Sequence, residues 1–326
     1  MINLLVKFSC QRLIFPFYHT VSNEELPHIK HLYKVKNEKE FDMDLDFLIK
    51  HYEPISYQDL QNHVNGARSI KKNSFLLTFD DGLSEIYHII SPILIKKGIP
   101  AVYFLNSAFI DNKSLFYRYK ESLLIEKYLK LPSSQKKAVE SFLHLPYCES
   151  SEIIQKIKSF DYSKRETLNP LATMMNLDFE EFLLEKKPYL TSEQIKTLVN
   201  QGFSFGGHSV DHPEYRLISE QEQLLQTKKS IDYVQQNFEL SYRTFSFPFT
   251  DAGVTNHFFE ETYKNKVAEI TFGTAGLKKE IFKNHFHRIP AENSFTLEKT
   301  LWLQYLYYFI KMPFNKNTIF RSHGTP

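Results

Sequence analysis

Cysteine is nearly missing from this sequence: Cys10 and Cys148 are the only two in 326 residues. They are too few and too far apart to form a disulfide framework or a thiolate metal site, so any bound metal must rely on histidine and carboxylate ligands. An excess of charge is missing as well. Forty Lys and Arg face 38 Asp and Glu, and the basic residues are scattered rather than striped, which excludes the positive field that nucleic-acid binding requires. No glycine-rich phosphate loop occurs. "GLKKE" and "FGTAG" meet neither the P-loop nor the dinucleotide spacing, which argues against a nucleotide cofactor. Long apolar runs are lacking too. The N-terminal "MINLLVKFSCQRLIFPFYH" is interrupted by Lys7, Gln11 and Arg12 and is followed by no small-residue cleavage site, so no signal peptide is expected. The C-terminal "LWLQYLYYFIKMPF" falls short of the roughly 20 residues a membrane span needs, and reads as a half-buried aromatic helix in preference to a membrane-surface one. The cytoplasm is the default location on these grounds, with association with the cell envelope as the alternative. Internal repeats and low-complexity tracts are absent.

What is present is core material. Hydrophobic residues make up 42% and aromatics 15%, including 29 Phe and 19 Tyr, as suits a packed globular enzyme. The chain exceeds the common single-domain length, yet α/β barrels use chains of this size as one unit, so a single domain over 1–326 is expected.

From residue 75 onward short apolar runs alternate with helical patterns. "FLLTF" and "AVYFL" read as buried strands, joined by a helix from Ser84 to Lys97 that Gly98 and Pro100 close. A helix capped by Thr191 or Ser192 and ended by Gly202 precedes the strand "FSFGG". A helix over Glu220 to Phe238 precedes "RTFSFPF", and "AEITFGTAG" and "FHRIPAE" supply further strands, with a helical segment between Thr255 and Lys266. Alternation of this kind predicts a parallel sheet or barrel. The stretch from about 111 to 188 breaks the rhythm with helical spacings and no convincing strand. It reads as a helical insertion, a structural cap over one barrel face in preference to a gating lid.

Two motifs carry the chemistry. "TFDDG" ends an apolar strand in Asp80, Asp81 and Gly82; alone it is an ordinary turn signal. "GGHSVDHP" again follows an apolar run and sets His208 and His212 apart by three residues. On a helical turn two such imidazoles would project the same way, but Gly206, Gly207 and Pro213 favour a strand-end loop with a sharp backbone turn. A histidine pair with an acid from another strand end matches a catalytic zinc-type site, in which three protein ligands leave one position open.

Together these residues resemble the polysaccharide deacetylases of carbohydrate esterase family four, the NodB-homology group, and within it the poly-N-acetylglucosamine deacetylase-like branch. The resemblance runs from about Phe17 to Pro290 outside the insertion, and implies a distorted (β/α) barrel. It implies that Asp80 is the catalytic base, that Asp81, His208 and His212 hold a divalent metal, with zinc the default and nickel, cobalt or manganese fitting the same ligands, and that the substrate is an N-acetylated glycan. In that branch a "YH" ahead of the "TFDDG" strand supplies the general acid; here "FPFYHTVS" offers His19, with His287 and His323 as rivals. The remainder of the third family motif, Phe247-Pro248-Phe249, is expected to wall the sugar site. One departure stands out, because Ser246 occupies the position of the arginine that pairs with the base. Arg288, at the end of a predicted strand, is the candidate substitute. Asp211 reads as conformational in preference to a partner of the ligands, and Thr78 and Ser209 as sources of backbone-stabilising hydrogen bonds.

The expected function is metal-dependent removal of N-acetyl groups from a sugar in a polysaccharide or glycan precursor. The alternatives are a metal-dependent amide hydrolase acting on a small non-sugar molecule and a non-catalytic carbohydrate-binding relative. Oligomeric state is left open.

Overall fold

The computed structural model describes residues 2–145 and 148–323. Its centre is an all-parallel sheet of eight strands, which takes its members from along the whole chain. In chain order the strands of the protein are β1 (Leu13–Ile14), β2 (Pro16–Tyr18), β3 (Glu53–Pro54), β4 (Ser74–Phe75), β5 (Leu77–Phe79), β6 (Ala101–Leu105), β7 (Ser204–Gly207), β8 (Thr244–Ser246), β9 (Ile270–Gly273), β10 (His285–His287) and β11 (Ile289–Pro290). The large sheet runs β10-β9-β8-β7-β6-β5-β2-β11, and β1, β4 and β3 form a small side sheet.

The two ends of the large sheet are consecutive pieces of one segment. β10 pairs with β9 and β11 pairs with β2, and the hinge between them is Arg288, whose amide N–H donates to Gly273 O while that of Ile289 donates to Phe15 O. The residue 285–290 segment therefore closes the ring, giving a distorted (β/α) barrel. Both faces of the strands are covered, so they read as continuous apolar runs: every residue of β5, β6, β8 and β9 is buried.

The helices form where the sequence caps them. Asn37 with Glu40, Ser56 with Asp59, and Thr191 with Gln194 each make a reciprocal capping box. The helix expected over Ser84 to Lys97 is instead two pieces, a π turn over Ile86–Ile90 followed by an α-helix over Ser91–Lys97. Pro92 explains the break, since it has no N–H to continue the regular ladder.

Between residues 111 and 188 the described residues hold no strand. The helices Tyr117–Leu129, Ser133–Phe142, Ser150–Lys158, Leu168–Met174 and Phe179–Lys186 enclose a separate apolar cluster that includes Leu124, Ile125, Ile153, Ile157 and Leu171. The insertion is stitched to the barrel beside the "DDG" turn: Leu190 N–H donates to Gly82 O, and Ser84 N–H donates to Pro188 O. Among the described residues no helix is long and apolar enough to cross a membrane.

Candidate active site

The turn at the end of β5 is built for two carboxylates. Asp80 continues the ladder by donating its N–H to Tyr18 O at 3.0 Å, after which Asp81 (φ 70) and Gly82 (φ 66) are both left-handed. That reversal curls the chain within one residue, so neighbouring side chains that would point apart in a strand face one cavity. Gly82 also has no room for a side chain, because a Cβ there would lie 2.8 Å from Leu105 Cδ2.

Asp80 is fully engaged by Arg288. Its Oδ1 accepts from Nη1 at 2.7 Å and its Oδ2 from Nη2 at 2.6 Å, a bidentate fork between two buried groups. Burial pushes the Asp80 carboxyl upward, but the Arg288 guanidinium outweighs it and holds Asp80 below the ordinary carboxylate range. Ser246, at the position of the missing arginine, contributes its backbone instead, as described next.

Asp81, His208 and His212 bring three ligand atoms within 4.8 Å of one another. His208 Nδ1–H donates to Ser246 O at 2.8 Å, which fixes the tautomer and leaves Nε2 with a lone pair facing the carboxylates. The Nε2 atoms of His212 and His208 lie 3.3 and 3.6 Å from Asp81 Oδ1. The other oxygen, Oδ2, accepts from Tyr119 Oη at 2.8 Å, so a tyrosine of the insertion orients the carboxylate. Asp81 Oδ1 itself is buried with no hydrogen-bond partner. An unsatisfied carboxylate oxygen opposite two imidazole nitrogens is costly as a structural device and fits a divalent cation.

The glycines before this pair act differently from the expected turn. Gly206 and Gly207 lie inside β7, and what they provide is space: a Cβ on Gly206 would sit 2.6 Å from Thr244 Cγ2 and 2.7 Å from Phe104, and one on Gly207 2.9 Å from Ile231 N. The sharp reversal comes at Ser209 (φ 68) and His212 (φ 63), where Ser209 Oγ accepts from His212 N–H at 3.0 Å. Asp211 turns away from the ligands and accepts from Tyr162 and Gln226. Thr78 Oγ1 donates to Pro16 O and accepts from Arg288.

His19 borders the same cavity. Its Nδ1–H donates to Glu292 Oε2 at 2.6 Å, and the other oxygen of Glu292 accepts from the backbone N–H of both His19 and Thr20. Burial alone lowers the His19 pKa, yet the Glu292 charge and hydrogen bond overcome it and raise the imidazole to about 9. Glu292 escaped the sequence reading because nothing local marks it. It arrives just after the closing strand, 273 residues beyond its partner.

The cavity holds about 510 Å³. Phe17, Tyr33 and Phe249 give it apolar walls, and the insertion adds Phe116, Arg118, Glu121 and Lys158. The insertion is thus part of the site wall and more than a cap. Of the three residues expected to wall the sugar site, Phe249 is half-exposed at the cavity, whereas Phe247 is fully buried and reaches it only from beneath, packed on Tyr215, Phe245 and Phe258. Pro248 is not among the lining residues described.

Neither rival to His19 reaches the cavity. His323 is exposed beside Asn256, and His287 belongs to a second buried cluster with Asp251, Glu280 and His285. That cluster resembles a metal site in composition but already holds a cation: Arg321 donates to Asp251 Oδ2 at 2.5 Å and to Glu280 Oε2 at 2.6 Å. No side-chain polar atom of the cluster lacks a partner, in contrast to Asp81 Oδ1. Its effect on the site is mechanical, because Asp251 Oδ1 accepts from Thr274 N–H and Thr274 Oγ1 donates to Phe249 O, which braces the cavity wall.

A family model for polysaccharide deacetylase matches residues 67–266. The chain belongs to the polysaccharide deacetylase family. As a member it is a hydrolase of carbon–nitrogen bonds other than peptide bonds, in a family that is metal-dependent and acts on N-acetylated glycans. The family match spans Asp80, Asp81, His208 and His212, while His19, Arg288 and Glu292 fall outside it. A search of curated protein sequences finds no match. Solved structures share the fold. The Streptococcus pyogenes deacetylase PplD in complex with acetate superimposes with a TM-score of 0.57 at 15% identity, over 89% of this chain and 96% of that one. IcaB from Ammonifex degensii gives 0.55 at 16%, over 90% and 97%. A de-N-acetylase from Aggregatibacter actinomycetemcomitans gives 0.53 at 15%, over 89% and 99%. At these identities the likeness is one of fold.

Proposed function

We propose that this family member is a metal-dependent N-deacetylase that removes acetyl groups from an N-acetylated sugar within a polysaccharide or glycan precursor. The observation that supports this reading most is the division between neighbouring acids: Asp80 has both oxygens on Arg288, while Asp81 keeps a buried, unpartnered oxygen opposite His208 and His212. In this reading Asp81, His208 and His212 hold the cation, with zinc the default for two His and one Asp and an open position. A cation bound there supplies Lewis acidity toward the acetyl carbonyl and makes a nearby water more acidic. Asp80 accepts the proton of the attacking water, and Arg288 keeps it ionised and fixed in orientation. His19, protonated at neutral pH through Glu292, gives its proton to the departing amine. The C–N bond breaks as the water oxygen bonds to the acetyl carbon, and acetate and a free amino sugar leave. Phe249 and Tyr33 offer apolar faces for a pyranose ring.

The test is acetate release by purified protein of measured metal content from chitin oligomers, poly-N-acetylglucosamine and peptidoglycan fragments. Release from at least one of them is expected. Absence of release from all three with metal bound would reject the reading.

A further inference from the structure

The C-terminal helix Leu297–Lys311 buries Leu297, Leu301, Tyr305 and Tyr308 against the barrel. Its opposite face is also apolar. Leu303, Leu306, Tyr307 and Ile310, at helical spacings of three and four, all point to solvent. The apolar surface continues past the helix through Met312, Phe314 and Phe320, the last two 70% and 75% exposed. A surface helix normally turns charge outward, but this one contains only Glu298, Lys299 and Lys311 as charged residues. Large apolar side chains exposed together along one helix face and the segment that follows it mark a docking face.

The exposed charges beside the helix's C-terminal end are basic. Lys278, Lys311 and Lys316 line a depression of about 800 Å³ together with Phe314 and Phe320, and its one acidic member, Asp251, is buried and paired with Arg321, which it shares with Glu280. Lys311 Nζ lies 3.8 Å over the Tyr307 ring, so the lysines frame the apolar stripe. Aromatic and aliphatic side chains bordered by lysine are the composition of a helix seated at an anionic lipid surface. A symmetric pairing of two copies through this face would instead bring lysine against lysine. The position is telling as well. Thr250 and Ala275 line the depression, while their neighbours Phe249 and Thr274 line the catalytic cavity.

We propose that this face docks on an anionic membrane surface and holds the mouth of the catalytic cavity beside the lipid headgroups. The inference stands on the exposed face and not on the chemistry assigned to the cavity.

The test is co-sedimentation of the full chain with phosphatidylcholine vesicles, with and without phosphatidylglycerol, alongside sedimentation velocity without lipid. Binding is expected to require phosphatidylglycerol and to fall with added salt. Lys278→Gln and Lys316→Gln should each weaken it about fivefold, the equivalent of about 1 kcal/mol per basic residue. Ile310→Ser with Phe314→Ser should abolish it, while melting temperature and acetate release from a soluble fragment stay unchanged. No binding to phosphatidylglycerol vesicles, or equal binding by the lysine variants, overturns the proposal. A concentration-dependent dimer that Ile310→Ser dissolves would assign the face to a second copy and overturn it too. The lysine variants keep the test decisive should the serine variants fail to fold.

Discussion

Arg288 and Asp80, 208 residues apart in sequence, meet as a bidentate pair with both side chains buried. Removing the arginine strands a buried carboxylate. Arg288→Ala is expected to cost about 3–5 kcal/mol of stability, read from denaturant unfolding. Arg288→Lys keeps charge but loses the fork, and should retain the fold with reduced turnover. In the lysine variant the Asp80 pKa rises, so the acid limb of kcat/KM moves to higher pH. An unmoved limb would mean that Arg288 does not tune Asp80.

The His19–Glu292 pair sets the other limb. The His19 pKa is raised to about 9, so the stability it contributes is complete below the ordinary histidine pKa of about 6.5 and is lost as pH rises through about 9. Glu292→Gln should therefore lower the His19 pKa, shift the alkaline limb of turnover to lower pH, and lessen stability most at neutral pH and below. A cation held by Asp81 pulls both enzymes' limbs down, so the difference between them keeps its sign. NMR titration of the His19 imidazole checks the first effect, and melting across pH the last.

Metal content separates the ligands from the base. His208→Ala and His212→Ala should lose bound metal, whereas Asp80→Asn should keep it and lose turnover. Tyr119→Phe leaves Asp81 in place but frees Oδ2 from its donor, and should weaken metal affinity about 10- to 100-fold. Competition with a chelating dye measures all four. Metal retained in His208→Ala would remove that residue from the ligand set.

Space at Gly206 is a packing requirement. Gly206→Ala forces its Cβ into Thr244 and Phe104, the nearest atom at 2.6 Å, and should destabilise the barrel by about 1–3 kcal/mol. A melting temperature equal to that of the parent would show that the strands can part without cost.

Phe249 stands half-exposed at the cavity and packs on His212 with ring centroids 4.6 Å apart. Phe249→Ala should raise KM more than it lowers kcat, because it removes a contact that substrate and transition state share. Steady-state kinetics on the best substrate of the panel decides.

Much of this architecture could be read from residue order. Strand runs such as "FLLTF" and "AVYFL" announce themselves because both faces are buried, and capping residues such as Thr191 mark helix starts. The "DDG" and "HSVDHP" segments each end an apolar strand, and a histidine pair with an acid from another strand end, together with the family resemblance, leads to the expectation that Asp80, Asp81, His208 and His212 meet. Other features depend on tertiary partners. Glu292 looks like any surface glutamate until β11 brings it to His19, and Tyr119 looks like one more aromatic in an amphipathic helix. Gly206 and Gly207 suggest a turn locally, but the constraint on them comes from side chains on β6, β8 and a helix. His287 sits beside Arg288 in sequence, yet alternation along the strand sends it to the Arg321 cluster behind the cavity wall.

The split strand that closes the barrel fixes an order of assembly. Asp81, His208 and His212 all lie within residues 81–212, but Arg288 belongs to the segment that shuts the ring against β2, and Glu292 follows just after it, at the opposite end of the chain. Contacts of such long sequence separation form late, because their loop-closure entropy must be met first. A chain emerging from the ribosome would gather its histidines and Asp81 well before Asp80 and His19 receive the partners that set their charge. The proton-handling half of the site is thus completed only once the barrel itself is complete.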